Sequence, residues 1–256
     1  MASLSNDLLA QVLRLQVRLY ACRERLAAAT DDEALHDLRI AVRTLRSVLK
    51  PLAELPACAA VQQRAAEFGR ASGPLRDMQV LQQELARQGE KAASCARQAQ
   101  LQPGYAALSA GPQLQALFAA LDEFPARWYQ AKANGELRGL GKRIGKRLAK
   151  HQRRLIAALA DPAYDRHRLR LLIKRLRYAA EVYPALAGLS SLEQARLKQA
   201  QSALGDWHDH LQWLLRAEHA DDLAPCVEHW QRALQAAEQQ VDCALLALRR
   251  QFVGED

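Results

Sequence analysis

Apolar residues recur at helical spacing along most of the chain. In residues 5–29, Leu8, Val12, Leu15, Leu19 and Leu26 share one face and predict a first helix. Thr30-Asp31-Asp32-Glu33 has the capping-box pattern and opens a second helix, expected to run to about Leu55 and stop before Pro56. A third covers Ala57 to Arg70, where Gly73-Pro74 breaks or kinks it. The pattern resumes from Leu75 to about Ala99. Residues 100–112 contain Pro103-Gly104 and Gly111-Pro112 and read as the one long loop and the chain's midpoint. In the second half a basic helix is predicted over Leu137 to Ala160, and another ends near Tyr183. A third runs from Leu192 to Ala217, and a last one, opened by Asp221-Asp222, ends near Phe252. Eight to ten helices with short connections make an all-α fold of antiparallel neighbours in bundles.

Composition narrows this further. Aromatics are 5% of the 256 residues, and Ala, Leu, Gln, Arg and Glu dominate, which favours helix and excludes a β-sandwich or barrel. No apolar run approaches the ~20 residues a membrane span needs. Asp7, Arg14 and Arg18 interrupt any signal-peptide core, so a cytoplasmic location is expected. The five cysteines are odd in number and widely spaced, with no CxxC, and read as small buried hydrophobes in a reducing compartment. The net charge of +8 points to a polyanionic partner.

Self-comparison is the most informative step. His36-Asp37-Leu38-Arg39-Ile40-Ala41-Val42-Arg43-Thr44-Leu45-Arg46 matches His167-Arg168-Leu169-Arg170-Leu171-Leu172-Ile173-Lys174-Arg175-Leu176-Arg177, 131 residues on. Leu75-Arg76-Asp77 matches Leu204-Gly205-Asp206, and Arg14, Arg18 and Arg25 match Arg143, Arg147 and Arg154, both at an offset of 129. Three matches in the same order predict a duplicated unit, with halves of about 1–111 and 112–256 inside one domain, and two similar helical bundles.

On a helix, His36, Arg39, Arg43, Arg46 and Lys50 fall within an arc of about 80°, beside an apolar stripe of Leu38, Val42, Leu45, Leu49 and Leu52. His167, Arg170, Lys174 and Arg177 repeat this. Arg14, Arg18 and Arg25 form another row, matched by Arg143, Arg147, Lys150 and Arg154. Like charges on one face repel, so each row needs something negative opposite. Asp37, Asp77, Glu181, Asp206 and Asp209 are candidate internal partners, which would make the rows ordinary solvated faces. Duplication of the rows favours a groove for a multivalent anion, because a guanidinium grips phosphate oxygens bidentately.

The motifs His36-x2-Arg39-x3-Arg43-x2-Arg46 and His167-x2-Arg170-x3-Lys174-x2-Arg177-Tyr178, with the downstream Asp77 and Asp206 segments, closely resemble the CHAD family, the conserved histidine α-helical domain. The resemblance covers nearly the whole chain. It implies two antiparallel four-helix bundles related by a pseudo-twofold around a basic central cavity. It also implies binding of inorganic polyphosphate and, for some members, association with polyphosphate granules. No stretch resembles the triphosphatase domain often fused to family members. Thr44 stands where the second repeat has Arg175, and Met78-Gln79 where it has Trp207-His208, which leaves room for unequal halves.

The remaining candidate chemistry is modest. His36 and His167 read equally as phosphate donors or as helix-packing residues paired with Asp77 or Asp206. His208 and His210 point about 200° apart on a helix and do not share a metal there. Gly139-Leu140-Gly141-Lys142 does not meet the phosphate-loop pattern. Trp128, Trp207, Trp213 and Trp230 have apolar spacing and read as core rather than as a base-stacking platform. No catalytic residue, cofactor or metal is expected. The expected site is His36, Arg39, Arg43, Arg46, Lys50, His167, Arg170, Lys174 and Arg177, with Arg14, Arg18, Arg143, Arg147 and Lys150 as an opposite wall. Asp77 and Asp206 are expected to hold arginines by ion pairs. Nucleic acid is the alternative partner, and an enzyme acting on phosphate polymers a less favoured one.

Overall fold

The computed structural model describes residues 4–29 and 31–254. These residues form helices and turns, with no strand among them. The chain clusters into two compact units, residues 1–144 and 145–256.

The first unit opens with α1 (Leu4–Ala28) and α2 (Ala34–Leu49), which pack along each other. Leu8, Val12, Leu19 and Leu26 of α1 and Leu38, Val42, Leu45 and Leu49 of α2 are all buried, as their spacing predicts. The expected opening of α2 is corrected. Glu33 is its N-cap and makes no side-chain cap, while the Asp31 carboxylate accepts the Glu33 N–H at 3.0 Å. Thr30, the residue expected to cap, lies outside the described residues. The expected end is also shorter: Pro51 lacks the N–H that would continue the ladder, and Lys50–Leu52 tightens into a 3-10 turn.

Leu55 is extended and Pro56 occupies the first turn of α3 (Pro56–Ala71). Ser72 joins it to α4 (Gly73–Gln88), which ends on left-handed Gly89 at φ 85°, where Glu90 N–H returns to Leu85 O. The predicted run from Leu75 to Ala99 is therefore two helices.

The largest correction follows. Residues 100–112 are not a long loop. Helix α5 (Lys91–Ser109) runs through Pro103-Gly104, and α6 (Pro112–Ala133) begins three residues after it ends. The turn signal is overridden by packing. Leu101 and Tyr105 are buried, and a Cβ at Gly104 would lie 2.5 Å from Leu75 Cδ1, so a larger residue there would displace the Leu75 side chain. Helix α6 packs along α3 and touches α1, with Leu117, Leu121, Phe124 and Trp128 buried.

Helix α7 (Leu140–Leu159) crosses from the first unit into the second. There follow α8 (Arg166–Val182), the single turn α9 (Pro184–Ala187), α10 (Ser191–Ala217), a 3-10 turn at Asp221–Cys226 and α11 (Val227–Phe252). The last helix thus starts later than Asp221-Asp222 suggests. Asp165 caps α8 by accepting Arg168 N–H at 2.8 Å, and Ser190 with Glu193 forms a complete capping box on α10. The core of this unit draws Leu155 and Leu159 from α7, Leu169, Ile173 and Leu176 from α8, Leu197 and Leu204 from α10, and Val241 and Leu248 from α11.

Among the described residues no helix is long and apolar enough to cross a membrane. Cys22, Cys58 and Cys226 are buried as expected, and burial pushes the Cys58 thiol up to about 12. Cys95 and Cys243 are exposed instead.

Trp128 tests whether α6 is part of the first core. Its indole is buried and donates to Ser5 O at 3.2 Å. Trp128→Ala should cost about 3–5 kcal/mol in urea unfolding. A loss below about 1 kcal/mol would mean that α6 is peripheral.

Candidate functional site

In the first repeat some of the cations are engaged inside the protein and others stay exposed. Arg39 is half-buried, and its Nη1 donates to Gly69 O at 3.1 Å and to Ser72 Oγ at 2.6 Å. It ties α2 to the junction of α3 and α4. Burial, with Arg76 and Arg43 nearby, loosens its proton, and Asp77 opposes that effect. Arg46 is exposed, and its Nη1 would lie 3.5 Å from a Cβ at Gly69. Arg43 is half-buried and Lys50 exposed. His36 is half-buried, and its pKa is lowered by burial first and then by Arg76, with Glu33 and Asp37 opposing and Arg43 assisting.

The α1 row meets carboxylates. Arg25 grips Asp31 with two bonds of 2.9 and 2.7 Å and donates Nη1 to Asp37 at 2.8 Å. Arg18 reaches the other Asp37 oxygen at 3.4 Å. Arg25 holds the Asp37 and Asp31 carboxyls below their usual range. Arg14 is exposed and makes no ion pair among the described residues. Of the acids proposed as internal partners, Asp37 and Glu181 do pair with arginines. Asp31 was missed, because its role depends on how the α1–α2 connection turns back.

The second repeat is arranged differently. Arg143 belongs to the first unit, where it chelates Glu54 Oε1 at 3.0 and 2.8 Å and donates to Glu136 O at 2.8 Å. Arg147 and Lys150 are exposed on α7 together with Lys146, Arg153 and Arg154. On α8, Arg177 donates to Gln201 at 2.8 Å, pairs with Glu181 at 2.9 Å and lies over the Tyr178 ring. Lys174 is half-buried. The exposed His167 ring lies 5.3 Å from that of His208, while His210 packs on Trp213 and its Nδ1 lies 2.7 Å from Asp206 O. Arg170 is half-buried, and its Nε is sealed from solvent without a hydrogen-bond partner.

Asp77 and Asp206 are both exposed on their helices. Asp77 acts on Arg39 through its charge, and Asp206 makes no ion pair among the described residues. Among those residues no group of three or more His, Cys, Asp or Glu is placed to hold a metal.

Residues 145–182 contain eleven Lys and Arg against three Asp and Glu, as much net charge as the whole chain. Residues 4–49 contain seven against six. A charge count over each repeat would have exposed this imbalance from sequence.

Arg39 separates a strut from a ligand clamp. Arg39→Gln should cost about 1.5–3 kcal/mol in urea unfolding, because Ser72 Oγ and Gly69 O lose a charged donor. Arg170→Gln, which loses no such bond, should cost clearly less. Equal losses would refute the strut.

Comparison with known proteins fits this geometry. None of the curated proteins compared matches the chain. Among solved structures it is similar to the crystal structure of the CHAD domain from the plant Ricinus communis. That match covers 100% of this chain and 93% of the other, with 24% identity and a TM-score of 0.67, and it shows a shared fold. The CHAD domain family model matches residues 11–218, which span both repeats, and the chain therefore belongs to the CHAD family.

Proposed function

We propose that the chain is a non-enzymatic module that binds inorganic polyphosphate, and that this binding associates it with polyphosphate granules. The observation that carries the reading is the charge of residues 145–182, displayed on helices whose opposite faces are anchored in a core. A linear polyanion neutralises such a surface many charges at a time, with release of its counterions. Arg43, Arg46, Lys50, Lys146, Lys150, Arg170 and Lys174 are the phosphate contacts in this reading, and Arg39 positions the helix beneath them.

Polyphosphate is favoured over nucleic acid because Trp128, Trp213 and Trp230 are buried, leaving few aromatic faces for bases. The motif faces carry cations, whereas phosphoryl transfer calls for carboxylates to hold divalent metal beside the substrate.

The proposal also reads each half as four rods. In the first these are α1, α2, α3 with α4, and α5 with α6. In the second they are α7, α8, α10 and α11. The packing of α4 along α5 and of α3 along α6 supports this. The pseudo-twofold and basic central cavity are what the family resemblance implies, and stoichiometry tests them. If both rows belong to one site, calorimetry should give one long polymer per chain.

Two outcomes are expected in calorimetric titration with long-chain polyphosphate. Affinity should fall steeply between low and high salt, and equal-charge single-stranded RNA should not displace the polymer. Arg43→Glu with Lys174→Glu should weaken binding at least about tenfold. Displacement by RNA, or unchanged binding by the double variant, would overturn the reading.

His36 adds a pH dependence. Its folded pKa lies below the unfolded value of about 6.5, so without ligand the fold loses stability as pH drops through that value toward the lowered one. A bound polyanion favours the imidazolium, so binding should tighten over the same fall in pH, with proton uptake. Titrations in buffers of different ionisation enthalpy would measure that uptake, and His36→Gln should reduce it. Uptake unchanged in the variant would exclude His36.

A further inference from the structure

The basic helices α7 and α8 are followed in sequence by an acidic stretch. Residues 199–244 contain eight Asp and Glu against two Lys and Arg, a net charge of −6 in a chain of +8. The local field there is opposite in sign to the one the whole chain suggests. Asp206, expected to hold an arginine, belongs to this stretch and makes no ion pair among the described residues.

Asp206 lines a groove of about 550 Å³ between α10 and α11. The groove follows from helical spacing. Ser202, Ala203 and Asp206 share one face of α10, and Gln239, Gln240 and Cys243 share the facing side of α11. Ala203 and Ala244 are buried beneath it, where longer side chains would interdigitate and close the space. The volume lies within the range of small-molecule sites.

The polar groups of the walls are not consumed by the fold. Ser202 Oγ and the Gln239 and Gln240 amides make no hydrogen bond among the described residues. No Lys or Arg lines the groove. Desolvation holds the Asp206 carboxyl above its usual range, and His210 opposes that effect. A carboxylate so placed gains from a cation that enters beside it. An ammonium group has only donors, and the carboxylate, hydroxyl and amide oxygens supply the acceptors. An aliphatic stem suits the alanine floor, as lysine stems suit apolar surface. Two helices lying side by side make the groove elongated, so the ligand it fits is linear.

We propose that the groove between α10 and α11 binds a linear aliphatic polyamine, with one ammonium group on Asp206 and the chain laid between Ser202 and the Gln239–Gln240 pair. This cation site is separate from the basic rows and does not rest on the polyphosphate reading.

The test is calorimetric titration of the full chain with spermidine, in the absence of polyphosphate. Asp206→Asn should weaken binding about threefold or more, the scale of an exposed ion pair. Ser202→Leu fills the groove without touching a charge and should weaken binding by at least as much. Glu238→Gln removes the same charge from an exposed position of α11 outside the groove, and should change binding less than about 1.5-fold. None of the three side chains makes a bond that the fold would lose, so the variants should melt with the wild type. In the same solutions spermidine should change the rate at which iodoacetamide alkylates Cys243 by about twofold or more, and leave that of the exposed Cys95 of α5 unchanged. Equal losses in Asp206→Asn and Glu238→Gln would mean a diffuse acidic surface and overturn the proposal. So would a wild-type chain that does not bind spermidine, or binding that leaves Cys243 labelling as it was.

Discussion

Repulsion between like charges on neighbouring helical turns is the constraint on which this protein's surface depends. A row of arginines at helical spacing costs a few tenths of a kcal/mol per pair, and something must offset it. The first repeat does so from within. Arg18 and Arg25 close on Asp37, Arg25 also takes Asp31, and Arg39 is turned inward onto Gly69 and Ser72. From residue 145 to 182 there are too few acids for that solution, and two of the three are engaged at helix termini or turns. Arg166 takes Asp242 of α11 and Arg177 takes Glu181, and the exposed Arg154 and Arg168 are left to solvent, salt or a ligand of opposite charge.

Such a surface is tolerable because each basic helix is held from behind. Leu169, Ile173 and Leu176 of α8 are buried in a core shared with α7, α10 and α11. Fully burying a side chain of this size contributes roughly 1.5–3 kcal/mol, several times the repulsion between two exposed cations on the helix. The apolar stripe therefore decides whether the helix forms, and the cation stripe is free to follow function. Rigid helices also fix the spacing of the charges before any ligand arrives, which reduces the ordering cost of binding.

Much of this was legible in the sequence because it is local. Helical spacing located the buried faces of α1, α2 and α8. Pro56 at a first helical turn marked a real boundary. Where the reading failed, a distant partner overruled a local preference. Pro103-Gly104 signals a turn to its neighbours, but α5 continues through it, with Leu101 and Tyr105 buried and Gly104 close against the Leu75 side chain of α4. Gly89, read as mid-helix, ends α4 instead. The site divides in the same way. The cation rows follow from spacing alone. The role of Arg39 does not, since its acceptors are a carbonyl and a hydroxyl about thirty residues away.

The duplication has a consequence for how such a fold can change. Two copies of a helix pair begin with equal charge, and either copy can gain a carboxylate without disturbing the apolar stripe that folds it. Asp37 and Arg168 occupy matching places beside the buried Leu38 and Leu169, so the exchange between them leaves the core untouched. An acid at that place stabilises the fold by pairing with the arginines next to it. A base leaves the fold less compensated and the surface more attractive to polyanions. The two halves can therefore differ in how far they compensate their own charge. The balance between them is set at a few solvent-facing positions on α1, α2, α7 and α8.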